Sequence, residues 1–125
     1  MSFRVLQVSD THLSARHHHF AANVEAVGRH VAASRPDLVV STGDLCMDGA
    51  GAAADLDRAA DWYGGLGVPV RAVPGNHDVG DTPAIRADQP VDDDRLAAWR
   101  LRFGDDFWSI DVEDWRLVGL DAMLF

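Results

Sequence analysis

The chain of 125 residues is short enough to be one domain at most. Its composition, 47% hydrophobic and 25% charged, is that of an ordinary globular fold, and no stretch approaches the ~18 apolar residues that a membrane span needs. A formal charge of −9 disfavours a general nucleic-acid surface, which requires lysine and arginine, and the single cysteine excludes an intrachain disulfide or a CxxC metal knuckle.

The N-terminus, "MSFRVLQVSD", lacks the apolar region and small-residue cleavage site of a signal peptide, so a cytoplasmic protein is expected. "FRVLQV" (3–8) is apolar and β-rich and predicts the first strand. In "NVEAVGRHVAAS", Val24, Val27 and Val31 recur at helical spacing, with Asn23 placed to cap the helix and Pro36 just past its end. "DLVVS" (37–41) predicts a second strand. "DLDRAADWYGGLG" repeats the helical pattern with Leu56, Ala59, Tyr63 and Leu66, closed by Gly64, Gly65 and Gly67. "VPVRAV" (68–73) predicts a third strand. Short, nearly continuous apolar runs suit strands buried on both faces of a parallel sheet, and strand–helix–strand steps of this length are right-handed βαβ units.

Positions 80–91, "GDTPAIRADQPV", carry two prolines and no periodicity, and read as a loop. "DDDRLAAWRLRFG" reads as a helix, acidic at its start, that buries Leu96, Trp99 and Phe103. "FWSIDV" and "WRLVGLD" alternate in polarity and meet at Glu113-Asp114, the pattern of an antiparallel hairpin. The fold class is therefore α/β: βαβαβ, then a helix and a β-hairpin.

Residues that bind metal or move protons follow each of the first three strands. Asp10 and His12 follow the first, Asp44 the second, and Asn76, His77 and Asp78 the third. Parallel strands bring their carboxyl ends to one edge, where ligands of open α/β sheets bind. Gly43 and Gly75 let the backbone turn sharply beside a ligand. A set of aspartate, histidine and asparagine without thiolate suits divalent zinc, manganese or iron. A single carboxylate such as Asp44 can bridge two cations, and His77 is free to donate a proton to a leaving group.

"DTH" (10–12), "GDL" (43–45) and "GNHD" (75–78) resemble, in order and spacing, the first three signature blocks of the calcineurin-like metallophosphoesterases, with bacterial cyclic-nucleotide phosphodiesterase-like members nearest. "VGLDAM" (118–123) resembles the strand after the "GNHD" block. The resemblance implies an αββα sandwich, of which residues 1–125 supply the N-terminal half of a single domain with the C-terminal part absent. It implies that Asp10 and His12 hold one metal, that Asp44 bridges, that Asn76 holds the second, and that His77 is the general acid. It further implies two divalent ions, iron, manganese or zinc, and a small phosphate-ester substrate, a phosphodiester such as a cyclic nucleotide or a phosphomonoester, attacked by metal-bound hydroxide. The family's later histidine blocks have no counterpart here, since no histidine follows His77. The chain alone is accordingly expected to take up metal weakly, with little turnover. The apolar surface facing the missing half is expected to meet an oligomer mate or partner. A non-catalytic scaffold or partner-binding module with the same fold is the alternative. A nuclease is disfavoured by the charge.

Other polar residues read more plainly. Cys46 reads as a small buried hydrophobe, Asp48 as a solvated loop acid, and His30 as an exposed residue late on its helix. Asp78 reads as a cap of the following turn, with orientation of His77 as its alternative. Adjacent side chains point apart, so His17, His18 and His19 read as a solvated loop or helix start and not as a metal site, with contact of one of them to a substrate phosphate as the alternative, since that loop overhangs the cleft.

Overall fold

A computed structural model describes residues 2–124. The order is β1 (Val5–Val8), α1 (Ala21–Ser34), β2 (Leu38–Ser41), α2 (Ala53–Gly64), β3 (Val70–Ala72), α3 (Asn76–Val79), α4 (Asp93–Phe103), β4 (Trp108–Val112) and β5 (Trp115–Gly119), then a 3₁₀ turn (Ala122–Leu124). β1, β2 and β3 form one parallel sheet in that spatial order, with Val5 opposite Leu38 and Val39 opposite Val70. β4 and β5 pair antiparallel, Trp108 opposite Gly119, through a turn in which Glu113 adopts φ 51°. The βαβαβ order and the hairpin are those the sequence predicts. The short helix α3, which carries "NHDV", was not foreseen.

Only the central strand is buried along most of its length. In β2, Leu38 and Val39 are enclosed, each burial being worth about 2 kcal/mol, whereas Val5 of β1 is 44% exposed. The expectation that all three runs are buried on both faces is thus corrected: β1 and β3 flank the sheet, and a flanking strand has one paired side. Val31 of α1 packs on Val8 and Val39. The larger core joins Leu56, Ala59 and Tyr63 of α2 to Leu96 and Trp99 of α4, with Phe103 packed against it and stacked on Trp99 at 4.2 Å.

The helix ends follow local chemistry. Asp92 caps α4 by accepting from the Arg95 amide at 2.8 Å, acidic Asp93 and Asp94 sit in its first turn, and Gly104 ends it at φ 82°. Gly65 closes α2. Asn23 is not a cap. α1 starts three residues earlier, with Phe20 at the capping position and no side-chain cap, because the preceding turn already pairs the Ala21 amide with the His18 carbonyl. Residues 80–91 form an irregular loop, closed by a bridge between Asp81 and Pro90. Among the described residues no helix is long and apolar enough to cross a membrane.

Candidate metal centre

The β1–β2 ladder continues past the formal strand ends and carries the candidate ligands with it. The amides of Asp10, His12 and Leu13 donate to the carbonyls of Gly43, Asp44 and Leu45, at 3.1, 3.1 and 2.8 Å, and the Met47 amide returns to Leu13 at 2.9 Å. Pairing at this point requires unusual backbone. Asp10, His12 and Asp44 have φ of 58°, 44° and 50°, in the left-handed region, and Gly43 lies at 117°. Each non-glycine residue held there costs about 1–3 kcal/mol, and such residues persist where surrounding contacts over-determine them.

β3 delivers the third element from the other side. A β-carbon placed on Gly75 would stand 2.5 Å from the Asp44 amide nitrogen, so only glycine lets the two tips meet. The His77 amide donates to Asp44 Oδ1 at 3.1 Å. As a result, one carboxylate oxygen of Asp44 and one ring nitrogen each of His12 and His77 lie within 4.8 Å of one another, the imidazoles edge to face. His12 Nε2 is 3.5 Å from Asp10 Oδ1 and 4.0 Å from Asp44 Oδ2. Asp10 is the most solvent-facing of the group, its other oxygen taking the Ser9 hydroxyl. The Asp44 carboxylate and the His12 imidazole, with the Asp10 carboxylate beside them and the His77 imidazole facing them, match the donor preference of first-row divalent cations, so the residues fit such an ion.

Supporting hydrogen bonds fix the histidine and the loops. His77 Nδ1 lies 2.6 Å from the Met47 carbonyl, which can only accept, so Nδ1 carries the proton and Nε2 is the reactive nitrogen. Asp78 is fully buried and accepts the amides of Leu45, Cys46 and Gly75 at 3.2, 2.8 and 2.8 Å, tying the β2 tip to the β3 tip. Burial pushes its carboxyl up to about 6, against the opposing pull of those three amides. Thr11 donates its hydroxyl to Leu45 O and meets Tyr63, whose hydroxyl also reaches Ser41. Burial, with Asp78 nearby, pushes the Cys46 thiol up far enough to keep it protonated, so it packs as a hydrophobe, as the sequence indicates.

A family model described as calcineurin-like phosphoesterase matches residues 3–119. The chain belongs to the calcineurin-like phosphoesterase family. Over 98% of its length it is 32% identical to the 3',5'-cyclic adenosine monophosphate phosphodiesterase CpdA of Escherichia coli, of which it covers 42%. It is 29% identical to a probable cyclic nucleotide phosphodiesterase of Synechococcus, again over 98% of its length, and covers 45% of that protein. The chain thus spans less than half the length of these curated relatives.

In this member of the calcineurin-like family, the structure gathers His12, Asp44 and His77, with Asp10 at the rim. Asn76 opens α3 beside His77 and is half-buried. Asp78 caps amides from two tips, the structural one of its two readings, while His77 is oriented by the Met47 carbonyl instead. Asp48 is corrected: it is half-buried, taking the Gly51 amide and the Gln89 side chain on Oδ1 at 3.2 and 2.9 Å, because it turns back to close its own loop. His17, His18 and His19 are exposed, as is His30. The residue that sequence reasoning missed is Asp55. It lies in the first turn of α2, where an acid is unremarkable.

Proposed function

We propose that the chain is the N-terminal, ligand-bearing part of a single domain that hydrolyses a phosphodiester, with cyclic nucleotide monophosphates as the substrate class. The observation that carries this reading is the convergence of His12, Asp44 and His77 at the tips of three parallel strands in a calcineurin-like chain. Its similarity to two proteins named as cyclic nucleotide phosphodiesterases supports the substrate class.

In this reading Asp10 and His12 would hold one divalent cation, Asp44 would serve both that ion and a second, and Asn76 would contribute to the second. Iron, manganese or zinc fits these donors. Bound there, two such cations supply Lewis-acid polarisation of the phosphoryl oxygens and activation of water. The chain's own contribution is geometric and protic. Asp44 is held through Oδ1 by the His77 amide, which leaves Oδ2 on the side of His12, 4.0 Å from its Nε2. His77, with Nδ1 committed to Met47, presents Nε2 to a leaving-group oxygen and donates a proton when the ring is charged. Residues of the longer protein complete the coordination and cover Trp115, Val118 and Leu120, the exposed apolar side chains of β5 and the segment after it.

Hydrolysis of 3',5'-cyclic AMP and of bis(p-nitrophenyl) phosphate by the full-length protein, with and without added manganese, tests this reading. Metal-dependent turnover is expected in the parent, with a loss of more than about 100-fold in Asp44→Asn. Full activity after chelation overturns the metal reading, and full activity in Asp44→Asn overturns the bridging role.

A further inference from the structure

Asp55 is 1% exposed, carries no cation partner among the described residues, and accepts three hydrogen bonds. Its Oδ1 takes the Ser14 hydroxyl at 2.9 Å and the Ala15 amide at 2.8 Å. Its Oδ2 takes the Asp48 amide at 3.1 Å. The first pair lies on the loop that leaves His12. The second lies on the Met47–Asp48 peptide, whose carbonyl faces His77 Nδ1 at 2.6 Å.

We propose that Asp55 is a positioning residue for both histidines of the metal centre: one oxygen anchors the loop behind His12, and the other orients the peptide whose carbonyl fixes the tautomer of His77. Asp55 touches neither ring. It acts through one peptide unit on His77, and on His12 through the two residues that follow it. The Met47–Asp48 peptide is held at both ends, its N–H by Asp55 and its C=O by His77, so rotation of that peptide breaks both contacts together. A carboxylate is required because all three donors are N–H or O–H groups on two opposite sides. In an asparagine one of the two sides meets an NH₂ group, whichever way the amide faces. The chemical meaning of this arrangement rests on the proposed function, but the arrangement can be tested without it.

The test uses the whole chain with Asp55→Asn, and Leu96→Ala as a control that lowers stability from a core side chain outside the Asp55 hydrogen bonds. At about pH 8, above the ordinary histidine range, ¹⁵N spectra of the imidazoles report the tautomer. The parent and Leu96→Ala are expected to show His77 as the Nδ1–H form, and Asp55→Asn a mixture. Calorimetric titration with manganese is expected to show roughly tenfold weaker binding in Asp55→Asn than in the parent, within the range of outer-shell ligand supports. A folded Asp55→Asn with the parent's tautomer overturns the proposal. Should Asp55→Asn fail to fold, amide exchange in the parent decides: protected Ala15 and Asp48 amides support the clamp, and free exchange at both overturns it. A tautomer shift in Asp55→Asn together with no manganese uptake by the parent supports the positioning role and counts against the metal reading. The reverse, uptake in the parent with an unshifted tautomer, sinks the positioning role alone.

Discussion

At the tips of β1, β2 and β3 the backbone is tied into buried acceptors: Asp78 takes three amides, and Asp55 takes two amides and a hydroxyl. The β4–β5 hairpin is attached more sparingly. The Trp108 indole donates to the Ala72 carbonyl at 2.8 Å, and Arg100 of α4 meets Asp106, just before β4, at 2.5 Å. Trp115 and Val118 on β5 remain 74% and 58% exposed. The contrast teaches how a small fold allocates order. Where three loops must agree to within an ångström, polar groups are buried to enforce one arrangement. Where the task is only to continue the architecture, the strand ladder suffices and apolar surface stays open.

Asp78→Ala is the sharpest way to break this contrast. It leaves three amides of the strand tips without their acceptor, at about 1–3 kcal/mol for each one that water cannot reach. Urea unfolding is expected to show a loss of about 4 kcal/mol, and a loss under 1 kcal/mol would mean that the tips are not held by their buried carboxylates. In the hairpin, Trp108→Phe removes one donor from the Ala72 carbonyl and is expected to cost about 1 kcal/mol in the same assay.

A pH effect is expected next, at the hairpin's base and, through the raised carboxyl of Asp78, at the strand tips as well. Asp106 and Asp121 are both buried, and each has one oxygen with no other partner. Burial, reinforced by the proton Asp121 shares with Asp106, lifts Asp121 to about 6, whereas on Asp106 the upward push of burial is outweighed by Arg100 and Asp121, leaving it low. A carboxyl raised on folding stabilises the fold fully below its unfolded value of about 4, and that contribution is lost as pH climbs through about 6. The urea midpoint should therefore fall between about pH 4 and 7 in the parent, and fall less in Asp121→Asn, which keeps a donor for Asp106 and cannot ionise. Equal slopes in both would remove the shared proton from the account. The smallest effect is expected at Trp115→Ser, within about 0.5 kcal/mol, since the side chain is largely in water; a larger loss would show that β5 is held by contacts on that face.

Much of the site was legible because its chemistry is carried by residue type at a fixed place. Asp10, His12, Asp44 and His77 each follow an apolar run, and parallel strands leave those run ends no choice but to meet. Gly43 and Gly75 were legible for the same reason. The left-handed backbone at Asp10, His12 and Asp44 was not, since spacing records which residues meet and not the dihedral angles at which they do so. Asp55, Asp106 and Asp121 were invisible for a different reason. In a chain with 20 acids, burial of a particular one depends on neighbours far away in sequence. Asn23 misled because a good capping residue is only an opportunity, and the turn at His18 begins the helix first. The flanking strands misled because an apolar run reports its content and not its place in the sheet.

The positive φ values of Asp10, His12 and Asp44 set stability against function within single residues. Glycine relieves about 1 kcal/mol of strain at such a position and deletes the proposed ligand in the same step. A selection that rewards thermal tolerance alone would thus erode this centre while improving the scaffold, and a stabilised variant of the chain is best sought among substitutions that leave those three residues untouched.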